Sequence, residues 1–193
     1  MDVELNPLLK RAEERPEEVK VYFIDGAHFI YGAILGYLWC FVDVLVRSGY
    51  GRKRFNVLGA LDSHTNEVII ETNNSYINAD SVIALLEKLR IKNGETVEIN
   101  IVLDNAKYQH CEKVKNRAKE LNINLVFLPP YSPNLNLIER LWKLLRKELL
   151  ANNYFDNFNL FCENIENCLN DIHIKHKEKM SSLMTHKFEI LGY

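Results

Sequence analysis

Three acidic residues stand where they could share a chemical task. Asp25 follows a short apolar run at 20–24 (KVYFI), Asp104 follows a second at 97–103, and Glu139 begins a helical-looking segment after a proline-rich turn. Carboxylates offer only hard oxygen donors, which suit magnesium or manganese. Two such ions held about 4 Å apart can activate a water and stabilise a leaving oxygen at a phosphodiester. Neighbouring parallel strands open onto a common crevice at their carboxyl ends, so two strand-end aspartates can meet there. A glutamate from a helix crossing that edge would complete the set.

Each residue also has a plainer reading. Asp25-Gly26 is a common turn pair. Asp104-Asn105 could end a strand through local Asx hydrogen bonds. Asn136-Leu137-Ile138-Glu139 has the polar-x-x-Glu form of a capping box, in which Glu139 would hold a backbone N–H. Glu139 and Lys143 could also form a surface pair four residues apart.

The elements that must position these residues follow from periodicity. Residues 1–19 read as a polar helical lead-in and 20–24 as a buried strand. Residues 29–46 read as extended, since the apolar run 29–42 is too short to span a membrane and holds two glycines. A basic glycine-rich turn at 48–54 leads to strands at 55–62 and 67–71. The spacing of Val82, Leu85, Leu86 and Leu89 predicts a helix over 78–90. Then come a strand at 97–103, an amphipathic helix at 109–121 and a strand at 123–128. The turn LPPYSPNLN precedes a helix over 137–150, whose inward stripe is Ile138, Leu141, Trp142, Leu145 and Leu149. Glu139, Lys143 and Arg146 lie along the edge of that stripe. One or two helices fill the remainder. A hairpin run followed by strand–helix alternation implies an α/β fold with a mixed sheet covered by helices.

Composition narrows the class. The chain has 193 residues, 47% of them hydrophobic, enough for a core without disulfides. Its net charge of -2 lacks the basic excess of a dedicated nucleic-acid-binding domain, so any DNA contact must be a local strip. The four cysteines form no C-x2-C pair and read as free thiols of a reducing cytosol; Cys162, Cys168, His173 and His176 do not have zinc-site spacing. The charged N-terminus has no signal-peptide core.

The segment from Ile101 to Trp142, IVLDNAKYQHCEKVKNRAKELNINLVFLPPYSPNLNLIERLW, resembles the catalytic core of mariner-like DDE transposases, above all their bacterial insertion-sequence branch. That family shows Asp-Asn-Ala at a strand end, then Leu-Pro-Pro-Tyr-Ser-Pro, then Asn-x-Ile-Glu-x-x-Trp on a helix. Its second Asp and its Glu are separated by 34 residues, as are Asp104 and Glu139. FIDGAHF around Asp25, Trp39 and RFNVLGALD at 54–62 are similar to the family's first strand and hairpin. The likeness covers about residues 20–150. Gly26 replaces a common Glu and Leu137 a common Pro.

The resemblance implies a ribonuclease-H-like five-stranded mixed sheet at 20–152, with 153–193 as a helical extension of the same domain. It implies Asp25, Asp104 and Glu139 as ligands of two magnesium or manganese ions. The implied reaction is hydrolysis at transposon ends, then 3′-OH strand transfer into target DNA, typically at TA. The implied partners are double-stranded DNA, both terminal inverted repeats and target, and a second copy in a homodimer. The implied place of action is the bacterial cytoplasm, on the nucleoid. The family's helix-turn-helix part is expected to be missing from this chain. Arg52, Lys53, Arg54, Lys143 and Arg146 are candidate contacts to DNA phosphates, and Asn105 and His110 candidate supports of the site. Tyr131 and Trp142 read as packing groups. Two rival readings stand beside this one: another ribonuclease-H-like nuclease, and a non-catalytic remnant that binds DNA or dimerises with an intact transposase.

Overall fold

The computed structural model describes residues 2–32, 53–129, 135–151 and 153–185. Trp39, Cys40, Arg52, Tyr131 and most of the expected extended segment at 29–46 lie outside them. The chain order is α1 (Asp2–Glu14), β1 (Val19–Ile30), β2 (Arg54–Asp62), β3 (Val68–Asn73), α2 (Ala79–Asn93), β4 (Glu98–Leu103), α3 (Glu112–Glu120), β5 (Ile123–Phe127) and α4 (Ile138–Leu145). A π-helical turn (Arg146–Leu150) extends α4, and α5 (Phe158–Lys175) and α6 (Lys177–Leu183) follow.

The strands form one sheet in the order β3-β2-β1-β4-β5. β1 pairs antiparallel with β2, and β2 with β3; β1 pairs parallel with β4, and β4 with β5. This is the mixed five-stranded sheet expected. Strand alternation divides its side chains between two cores. Phe23, Ala27, Phe29, Val57, Leu61 and Val102 pack with α1, α4, α5 and α6. Tyr22, Ile24, Leu58, Ala60, Ile99 and Ile101 pack with α2 and α3 on the opposite face. Leu5, Leu8, Leu9 and Ala12 place the lead-in helix in the first of these cores.

Two boundaries depart from expectation. β1 does not stop before Asp25: it runs to Ile30, because its antiparallel ladder with β2 continues after the parallel ladder with β4 has ended. Asp25-Gly26 is therefore mid-strand and not a turn. The helix over 137–150 is α-helical only to Leu145, and the π-turn inserts extra backbone before Leu150. As a result Leu150 is buried and Leu149 only partly so.

Candidate active site

The β1–β4 register positions the aspartates. The parallel pairs run from Val19↔Glu98 to Phe23↔Val102. Carried two residues further along each strand, the same register sets Asp25 beside Asp104. Phe23 and Val102 both belong to the core under α4, so the alternation turns positions 25 and 104 to that face as well. Asp104 lies just past β4, where its Oδ1 accepts a hydrogen bond from the Ala106 backbone N–H at 3.2 Å. This is the local Asx bond anticipated as its plainer role, and it leaves the second oxygen uncommitted to that bond.

Two side chains tie α4 to β1 beside Asp25. Trp142 Nε1 donates to Asp25 Oδ2 at 3.0 Å. Asn136 Nδ2 donates to the Ile24 carbonyl at 3.1 Å. Asn136 therefore does not cap α4: the N-cap is Leu137, with no side-chain cap bond, and the capping-box reading of Glu139 is not realised. Among the described residues Glu139 makes no ion pair with Lys143 either. Asp25, Asp104 and Glu139 are each half-buried.

The electrostatics couple all three. Burial, with smaller contributions from the charges of Asp104 and Glu139, raises the Asp25 carboxyl from its ordinary value near 3.8 to about 6, against the hydrogen bonds from Gly26 N–H and Trp142. Among the described residues, no three His, Cys, Asp or Glu side chains are gathered tightly enough to hold one ion between them. Asp25 thus feels the charges of both Asp104 and Glu139.

Tyr108 was not singled out by sequence reasoning. Its hydroxyl stands 3.5 Å from where a Cβ on Gly26 would be, and Ile77 Cδ1 lies 2.7 Å from the same point. Ile77 occupies the space that a larger residue at 26 would need, and the Tyr108 hydroxyl lies in ordinary contact with the same point. Burial first, then the charges of Asp104 and Asp25, push the Tyr108 phenol up to about 12, so it keeps its proton beside the aspartates. The only hint in the sequence was its closeness to Asp104.

Asn105 and His110 are joined as a support. Asn105 Nδ2 donates to the Leu128 carbonyl at 2.5 Å, and its Oδ1 lies 2.9 Å from His110 Nε2. The His110 ring stacks on Phe127, centroids 3.9 Å apart. The exits of β4 and β5 are fastened together next to Asp104. Of the candidate phosphate contacts, Lys143 is exposed and lines a groove with Arg140, Lys147 and Lys179. Arg146 lies over the Phe29 ring at 5.5 Å, and Lys53 over Phe158 at 5.5 Å. Lys53 and Arg54 are exposed at the start of β2, opposite the end of β1 and five residues along it from Asp25. Cys111, Cys162 and Cys168 are free thiols.

A sequence profile of the DDE superfamily endonucleases matches residues 20–162. The chain belongs to that family. All three carboxylates fall inside the matched region. Solved structures agree on the fold. The Mos1 mariner paired-end complex with Mn superposes with a TM-score of 0.65 at 16% identity, covering 93% of this chain and 57% of that one. The isolated catalytic domain of Mos1 mariner transposase gives 0.54 at 15% identity, covering 93% and 90%. The fold is therefore the ribonuclease-H-like one. An uncharacterised protein of Sinorhizobium fredii, y4pE/y4sA, is 38% identical over 58 residues, which are 30% of this chain and 41% of that protein. The chain thus spans less than two thirds of the relative and of the paired-end transposase it matches. Among the described residues no helix is long and apolar enough to cross a membrane.

Proposed function

We propose that this chain is the catalytic domain of a DNA transposase, with Asp25, Asp104 and Glu139 as ligands of two divalent ions, Mg2+ or Mn2+. The observation that supports the reading is the parallel register of β1 and β4, whose extension by two residues brings Asp25 level with Asp104, together with the bond from Trp142 of α4, the helix that bears Glu139, to Asp25. The donor set fits a hard cation. It is all oxygen, and Asp25 is driven toward its protonated form by burial and two like charges, a strain that a cation would relieve. Bound ions would supply an activated water and stabilisation of the leaving 3′ oxygen.

The chain's own groups do the rest. The sheet holds Asp25 and Asp104 at fixed separation. Trp142 and Asn136 fix α4, and with it Glu139, over that edge. Tyr108 offers a proton-bearing hydroxyl beside the aspartates. Arg52, Lys53, Arg54, Lys143 and Arg146 receive DNA phosphates, supplying the local basic strip that a chain of net charge -2 requires. In the first step water attacks the phosphorus at the transposon end, and the P–O bond to the 3′ oxygen breaks. In the second the freed 3′-OH attacks a target phosphorus, at TA, and a target 3′-OH leaves. The active form is a homodimer working on terminal inverted repeats and target DNA in the bacterial cytoplasm, with end recognition by a helix-turn-helix part outside this chain.

Labelled oligonucleotides copied from the repeats that border the gene test this directly. With Mn2+ or Mg2+ the protein should both cut them and join the 3′ ends to a second duplex. Hydrolysis with no joining would indicate another nuclease of the same fold. DNA binding with neither reaction would indicate a non-catalytic remnant.

A further inference from the structure

The position across β2 from Asp25 is Gly59. A Cβ there would stand 2.7 Å from Trp142 Cη2, 3.1 Å from Cζ2 and 3.0 Å from Ile138 Cδ1. A carbon contact of 2.7 Å essentially never occurs and the other two are tight, so the indole takes up the room that a side chain at 59 would fill. The ring is 3% exposed and meets Phe29 edge-on, centroids 6.1 Å apart. Its one polar atom therefore needs a buried partner. That partner is Asp25 Oδ2, at 3.0 Å. A core tryptophan with no other duty could direct its N–H to any carbonyl. Here the bare backbone at Gly59 lets the ring settle where its N–H reaches a carboxylate instead, in a charge-assisted bond.

We propose that Trp142, seated on Gly59, is a positioning residue: its N–H fixes the Asp25 carboxylate so that its remaining lone pairs face the region shared with Asp104 and Glu139. This rests on reading those three residues as metal ligands. The bond acts on two things at once: with the Gly26 N–H it holds the rotamer of Asp25, and with Asn136 it holds α4, and so Glu139, against β1. An outer hydrogen bond of this kind changes metal affinity by about 10–100-fold.

The metal-bound state can be probed without catalysis. The sequence has two tryptophans, so a 15N-labelled sample gives two indole N–H resonances, and Trp142→Phe assigns one of them. Titration with Mg2+ should shift the Trp142 resonance in the parent and leave it in place in Asp25→Asn. Trp142→Phe keeps a ring over Gly59 but loses the donor. It should melt within a few degrees of the parent yet bind Mn2+ about 10-fold more weakly by electron paramagnetic resonance. Gly59→Ala, which displaces the ring and leaves the tryptophan in the chain, should weaken Mn2+ similarly. Asp104→Asn and Glu139→Gln serve as references. If those two lose Mn2+ while Trp142→Phe binds as the parent does and the indole resonance ignores Mg2+, the positioning role is overturned and the ligand assignment stands. If the references bind like the parent, the ligand assignment itself falls, and the inference with it. Should Trp142→Phe fail to fold, Trp39→Phe assigns the remaining resonance to Trp142 and the indole titration decides.

Discussion

Asp25 and Asp104 each lie two residues beyond the last parallel pair, Phe23↔Val102, Asp25 still within β1 and Asp104 one residue past the end of β4. Seventy-eight residues of chain separate them, and the parallel pairing removes that separation without any loop having to reach. Isosteric neutralisation tests whether the juxtaposition serves a metal. Asp104→Asn and Glu139→Gln should each reduce metal-dependent DNA cleavage by more than the roughly 100-fold that losing a supporting residue can cost. Glu139→Gln should not change thermal stability by more than a degree or two, since Glu139 has no part in a cap. A Gln variant that cuts at the parental rate would remove Glu139 from the site.

The raised Asp25 carboxyl makes a prediction about pH. In the metal-free protein its value, about 6, lies above the ordinary 3.8, so the folded state binds the proton more tightly than the unfolded state. Its contribution to stability is fully present below the unfolded value and is lost as pH rises through the folded one. Stability from this group therefore falls between about pH 4 and 6, by at most about 3 kcal/mol. Urea unfolding of the parent and of Asp25→Asn at a series of pH values isolates it: the difference should move in the variant's favour as pH rises. A difference independent of pH would mean that Asp25 titrates normally. Millimolar Mg2+ should flatten the curve.

The sheet was legible because its strands carry strong local signals: apolar β-branched runs closed by polar turns, and a hairpin marked by SHTN. The candidate site was read for a different reason, that its text and the 34-residue spacing resemble those of a known family. What escaped was set by tertiary contact. β1 was read as ending at Asp25 because Asp-Gly is a turn signal; pairing with β2 overrode it. Asn136 looked like a cap because Asn three residues before Glu satisfies the local pattern, but the Ile24 carbonyl competes for its amide across the fold. Trp142 was placed in the core by its stripe, correctly. Its second task, holding Asp25, depends on a glycine 83 positions earlier that no local pattern connects to it.

Arg90 offers a prediction about stability away from the site. It is 8% exposed, and its guanidinium donates to the carbonyls of Leu121, Gly94, Val97 and Asn122 at 2.6–2.9 Å. These bonds gather the end of α2, the turn after α3 and the approach to β4 around one planar cation. Arg90→Met would bury a similar volume and strand several carbonyls. It should cost about 3 kcal/mol or more in urea unfolding, and Arg90→Lys, a single donor head in place of the fork, should recover only part. Because this cluster lies at the opposite end of β4 from Asp104, Mn2+ affinity at a temperature where the variant is folded should be parental. A cost below about 1 kcal/mol would show that water replaces the fork without difficulty.

Asn105 links the aspartate strand to the strand beside it, and the direction of its bonds can be worked out. The Leu128 carbonyl can only accept, so the Asn105 amide presents Nδ2 to it and turns Oδ1 to His110. His110 must then carry its proton on Nε2 to donate. That proton sits on a ring already held flat against Phe127, so one short chain of contacts fixes the exit of β5 relative to Asp104. Asn105→Asp reverses the polarity at Leu128, setting two acceptors against each other, and adds a negative charge beside Asp104. It should weaken Mn2+-dependent cleavage more than Asn105→Ala, which only deletes the link. If the link matters by holding β5 and not by charge, His110→Gln, whose amide can still donate, should retain more activity than His110→Phe, which keeps the stack alone. Equal losses in the two His110 variants would mean that the hydrogen bond contributes nothing and the stack is the whole of the support.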